Sequence, residues 1–205
     1  MRKDRFYNIL IISVLTMAVI QSPLFYYNTF GLFSFLIVIP YLLIGSVLTI
    51  LLIAVLRTKN SKITMFQKTG IILTISIGGL TLFFGENTVE KLDWHFRRNS
   101  RDEIIELIKA GQLKPNVSGN NIICTLDNWD VPPISNGGNE IAIYKTNDDN
   151  LTVLFYINRG FLDHYSAFVY TNDKKKIQEL EKRTTLKKGA HINKKLDVNW
   201  YRVSY

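Results

Sequence analysis

At 205 residues, 47% hydrophobic and with a mean hydropathy of +0.07, the chain has globular averages, but its apolar residues are concentrated in the first 84 positions. The net charge of +8 does not imply a nucleic-acid binder: seven Lys/Arg against Asp4 leave +6 over residues 1–68, while 18 Lys/Arg against 16 Asp/Glu leave only +2 over 85–205. Positive charge beside apolar segments sets membrane orientation, and a single cysteine, Cys124, excludes an intrachain disulfide and a cysteine-rich zinc site.

Phe6 to Tyr27 is the first predicted span, with scattered polar residues and no charge. A cleaved signal peptide is the rival reading. Leu24, Phe25, Tyr26 and Tyr27 stand where small residues would be needed for cleavage, which favours an uncleaved anchor. Leu32–Leu56 is the clearest span: 25 residues without a charged side chain, roughly 37 Å of helix at 1.5 Å per residue. Pro40 can kink it. The third segment, Thr69–Phe84, has 16 residues and lengthens through Ile63, Met65 and Phe66, with Lys68 reaching back to the interface. The competing reading is a re-entrant or interfacial segment.

Arg2, Lys3 and Arg5 place the N-terminus in the cytoplasm, and Arg57, Lys59, Lys62 and Lys68 place the second connection there too. Three spans put residues 85–205 outside; two spans would leave them in the cytoplasm. No Asp, Glu, Lys, Arg or His interrupts the three apolar cores, which argues against a pump or ion carrier. Gly45 with Thr49, and Gly70 with Thr74, offer small faces for helix packing.

The predicted organisation is an anchor over 1–84, a helical connector over 85–99 and a soluble domain over 100–205. In the connector Val89, Leu92 and Phe96 fall at helical spacing, with Trp94 and His95 at the headgroup level or in the core. Ser100 and Glu103 have capping-box spacing and predict a fresh helix with Ile104, Leu107 and Ile108 as its apolar stripe, ended by Gly111 before Pro115. Five strands follow, near 121–127, 140–146, 151–158, 163–171 and 198–204. The middle three form a meander around the turns Asn147–Asn150 and Asn158–Gly160. Asp173 caps a second helix over 174–183. Adjacent Trp200 and Tyr201 point to opposite faces of the last strand. The fold class is therefore an α-helical anchor of three transmembrane helices followed by a small α+β domain, with an antiparallel sheet of about five strands and two helices against one face.

Two candidate binding elements stand out. The Asp127–Asn139 loop carries Trp129, Pro132-Pro133 and Gly137-Gly138, and long loops often bind. Between Lys174 and Lys195, nine Lys/Arg face only Glu179 and Glu181; Lys174, Lys175, Lys176, Lys187, Lys188, Lys194 and Lys195 belong to a patch suited to anionic lipid headgroups, envelope polymers or an acidic protein. Asp163 and His164 resemble an acid–base pair, but neighbours on a strand face opposite ways. His95, His164, His191 and Cys124 lack metal-ligand spacing. Walker, HExxH, GxSxG and paired-cysteine motifs are absent. No cofactor is implied and no catalytic residue is assigned. The expectation is a bacterial-type cytoplasmic-membrane protein presenting an extracytoplasmic, non-enzymatic binding domain, with immunity-type protection at the membrane as one version. The alternatives are an envelope enzyme using Asp163–Tyr165 and the Asp127–Asn139 loop, or an accessory subunit of a membrane complex.

Overall fold

A computed structural model describes residues 2–28, 31–58, 63–126, 132–147, 150–159, 164–185 and 193–205. They form two compact units, one of Met1–Tyr26 with Phe33–Lys91, the other of Tyr27–Leu32 with Leu92–Tyr205.

In the first unit α1 (Arg2–Asn28), α2 (Ser34–Thr58) and the start of α3 (Met65–Lys109) are each long and apolar enough to cross a membrane. Side-chain pairing fixes their directions. Going up α1, Asn8 meets Gln67, Ile11 meets Gly70, Ala18 meets Gly78 and Ser22 meets Gly85 on α3. Both numbers rise together, so these helices run parallel. Against α2 the order reverses: Met17 meets Gly45, and Phe25 lies 5.2 Å from Tyr41. The helices therefore run up, down and up. The α1–α3 pairing extends from Gln67 to Gly85, about 27 Å of α3, against Asn8 to Ser22, about 21 Å of α1.

Close approach along this seam needs glycine. A Cβ on Gly85 would come within 1.8 Å of Ser22 Oγ, and one on Gly70 within 2.5 Å of Ile11. Thr49 and Thr74 return their hydroxyls to Gly45 and Gly70 carbonyls in their own helices, at 2.7 and 2.8 Å. Apolar surface elsewhere on these helices is exposed within the chain, as suits contact with lipid.

No new helix begins at Ser100. It lies inside α3, a single 45-residue helix. The capping box forms instead at Thr64, whose Oγ1 accepts from Gln67 N while Gln67 Oε1 accepts from Thr64 N, both at 3.3 Å. The C-terminus ends as expected: Gly111 has φ +71°, and Gln112 N and Leu113 N both donate to Leu107 O.

In the second unit the strands are β1 (Ile123–Thr125), β2 (Glu140–Asn147), β3 (Asn150–Arg159), β4 (Tyr165–Thr171), β5 (Lys194–Asp197) and β6 (Trp200–Ser204). They form one antiparallel sheet in the order β1-β2-β3-β4-β6-β5. Among the described residues there are six strands where about five were expected, because Lys194–Asp197 adds an edge strand, turned onto β6 through Asn199 at φ +61°.

The helices lie on opposite faces rather than on one. Trp94 of α3 packs tilted against Phe168 and edge-on against Trp200, and Arg101 lies over Phe168 and Phe155, on the face shared by Ile141, Val153 and Tyr170. The other face buries Ala142, Leu154, Ala167, Val169, Tyr201 and Val203 with Leu180 from α4 (Lys174–Thr185). Two helices reach the sheet independently, one before β1 and one between β4 and β5, and both faces are apolar. Trp200 and Tyr201 do point to opposite faces, and each meets its own helix layer.

The helical phase around residues 89–108 also differs from expectation. Leu92 and Phe96 are exposed, Phe96 by 74%, and Leu107 is exposed while Ile105 and Ile108 are buried. The inward stripe is Trp94, Arg101, Ile105 and Ile108, four positions within one turn's width of a 3.6-residue helix.

Candidate functional site

Asp173 starts α4: its Oδ1 accepts from Lys175 N at 2.8 Å and Lys176 N at 3.4 Å. With Leu180 inward, Lys174, Lys175, Lys182 and Gln178 occupy the outer arc. The hairpin β5–β6 brings Lys195 beside the helix, where its Nζ pairs with Glu181 Oε1 at 2.8 Å. The two acids of the patch are both committed. Glu179 holds Lys176 at 2.9 Å and Arg183 at 3.0 Å, and Glu181 holds Lys195. These hydrogen bonds keep both carboxyls below their usual range. Lys174, Lys175, Lys182 and Lys194 are exposed and have no ion pair among the described residues. Three lysines at the positive end of a helix dipole with no acid in the first turn gain nothing from the helix.

Beside the lysines runs a row of rings and cations. The Arg159 guanidinium lies 4.0 Å from the centre of Tyr156. Tyr156 meets Tyr165 edge-on at 5.5 Å, and Tyr165 stacks on Tyr205 at 4.7 Å. Arg183 closes the row at 4.6 Å over Tyr205, with Lys176 at 5.7 Å. The rings pack against the α4-side core, leaving them half-buried. The three cations are also ion-paired, Arg159 with Glu140 at 2.7 Å and Lys176 and Arg183 with Glu179, so what the row adds is neutral phenols as hydrogen-bond donors.

Burial first, then the neighbouring tyrosines, pushes the Tyr165 hydroxyl well above its ordinary value, and burial raises Tyr156 and Tyr201 as well. A raised phenol favours the folded state fully below about pH 10, the unfolded value. As pH climbs past 10 the unfolded chain ionises first, so stability falls toward the folded pKa. Tyrosinate absorbance should therefore show a late group of phenols titrating together with unfolding, and Tyr165→Phe should diminish that late step.

Of the residues singled out from sequence, Lys174, Lys175, Lys176 and Lys195 share one face of this unit, whereas Lys194, opposite Arg202 in register, lies on the other face of the sheet. Trp129, Lys187, Lys188 and Asp163 lie outside the described residues. His164 is exposed, 3.4 Å from Tyr205 O through Nδ1. The described half of the Asp127–Asn139 loop is bound into the fold. Asn136 donates to Ile157 O at 2.7 Å, Ser135 Oγ accepts from Tyr156 N at 2.8 Å, and Asn139 Oδ1 accepts from Ile134 N at 3.0 Å. These buried side chains anchor the loop at the irregularity in β3 between Tyr156 and Asn158. The aromatic row was not foreseen from sequence. Its signal is the register: Tyr156, Tyr165 and Tyr205 sit on one face only once β3, β4 and the C-terminus are aligned.

No family model matches the chain, and neither does any curated protein or solved structure.

Proposed function

We propose that the chain is a membrane-anchored interaction protein. Its second unit stands on the outer side of a cytoplasmic membrane and binds an acidic partner, a protein or an envelope polymer, through the α4–β5 face. The observation that carries this reading is the charge imbalance on that face. Glu179 and Glu181 are already paired, while Lys174, Lys175 and Lys182 project from α4 without ion pairs among the described residues. Such a field attracts anionic partners and speeds their association. The orientation rests on the basic residues at the N-terminus and over 57–68, against an uncharged 23–31 connection. The parallel run of α1 and α3 supports three crossings. Interception of an incoming toxin is one form this activity takes.

The full chain in nanodiscs should bind poly-L-glutamate, with affinity falling as salt rises. Reversing Lys174, Lys175 and Lys182 to Glu should weaken binding by at least about thirtyfold, some 0.7 kcal/mol per position. Binding unchanged by the reversal would remove this face as the site.

A further inference from the structure

We propose that the open edge of β2 beyond Ile143, with the groove beside it, takes an extended acidic segment of a partner protein as an added strand. The site lies at the β1–β2 end of the sheet, away from β5 in the strand order, and does not depend on the α4 face.

The edge is open because β1 is short. It pairs only with Glu140, Ile141 and Ala142, and one further bond joins Ile143 N to Ile122 O at 2.8 Å. There the chain turns away: Asn120 Oδ1 accepts from Ile122 N at 2.9 Å and Ile123 N at 3.1 Å. From Tyr144 onward β2 has β3 on one side and no strand on the other among the described residues.

Beside this edge is a groove of about 680 Å³, with Ile108, Leu113, Pro115, Ile122 and Ile143 as its apolar lining. Strand addition uses both features: main-chain bonds hold the segment, and alternate side chains enter a pocket. Tyr144, exposed on the opposite face of β2, gives the outward side chains of the added strand a ring to pack on.

The charge selects among segments. Lys114 and Lys145 line the groove, are exposed, and form no ion pair among the described residues. A lysine on an open edge discourages indiscriminate strand pairing. The same charge favours a strand that brings carboxylates. The fitting segment is therefore extended, with apolar residues alternating with Glu or Asp.

The test uses the full chain in nanodiscs and the synthetic peptide acetyl-Glu-Val-Glu-Val-Glu-Val-amide, read by titration and by hydrogen exchange across 144–147. The expected result is binding with slowed exchange in that stretch. Methylating alternate peptide nitrogens on the bonding edge should abolish binding. Lys114→Glu with Lys145→Glu, both at exposed positions, should weaken it about tenfold and make the Lys-Val counterpart the better ligand. Three results would overturn the proposal: no binding, binding undiminished by N-methylation, or dodecanoate occupying the groove while the peptide leaves exchange unchanged.

Discussion

Arg101→Ala should destabilise the second unit by about 3–5 kcal/mol, the loss expected when one partner of a buried ion pair is removed. Arg101 is 1% exposed and Asp93 4%. The guanidinium donates to the Asp93 carboxylate, to Asp93 O at 3.3 Å and to Ile134 O at 3.2 Å, and its plane lies 4.6 Å from the centre of Phe168. Asp93 also accepts from Tyr27 at 3.2 Å and pairs with Arg97, which in turn donates to Pro133 O. Truncation leaves a buried carboxylate with weaker company and frees Ile134 O. Against a typical total of 5–15 kcal/mol, this is a large fraction. Denaturant unfolding of the full chain in detergent, followed by tryptophan emission, measures it. Arg101→Met with Asp93→Leu should recover part of the loss, because the fully buried pair is removed together and Arg97, 16% exposed, keeps Pro133 O as its acceptor. A double variant no better than Arg101→Ala would mean that the fork geometry, not charge burial, holds this junction.

Trp200→Ala should cost a similar amount, about 3–5 kcal/mol, through a different mechanism: an emptied core. Trp200 is 1% exposed, and its ring centre lies 5.3 Å from Trp94, 5.4 Å from Tyr170 and 5.8 Å from Phe155. It is the common neighbour through which α3 meets β3, β4 and β6. Trp200→Phe should lose only about 1–2 kcal/mol, since most packing survives and only the 3.0 Å bond from Nε1 to half-exposed Asp102 is lost. Far-UV circular dichroism during denaturant titration reads both variants without relying on the deleted fluorophore. Equal losses for Phe and Ala would shift the weight from packing to the Asp102 bond.

Much of the architecture was legible because its signals are periodic. The uncharged stretch Leu32–Leu56, most of which forms α2, and the alternation of β3 declare themselves over many positions. The errors arise where a local pattern competes with tertiary contacts. Ser100 and Glu103 have the spacing of a cap, but the helix runs through them. Arg97–Asp93 and Arg98–Asp102 bridge successive turns, and Trp94, Arg101 and Ile105 are all held inward. β5 has no hydrophobic alternation to announce it. Lys194 and Lys195 are exposed on an edge, where charge is expected and strand character is hidden. Arg101 was overlooked because a charge in a helix reads as solvated. The available signal was its placement on the face of Trp94 and Ile105, with Asp93 and Arg97 at intervals of four. The basic patch was visible in composition, but which lysines lack acids depended on the Lys195–Glu181 contact across fourteen positions.

The measurement that tests the proposed outward-facing placement of the second unit most directly is cysteine labelling in intact cells. Ser118 is exposed in the second unit, whereas Asn136 is buried and hydrogen-bonded, so Ser118→Cys is the probe position. Native Cys124 is fully buried and serves as the internal control. The expected result is that a membrane-impermeant maleimide labels the Ser118→Cys protein without lysis and leaves the parent chain unlabelled. Labelling that appears only after lysis would put the second unit in the cytoplasm and contradict the outward-facing binding role.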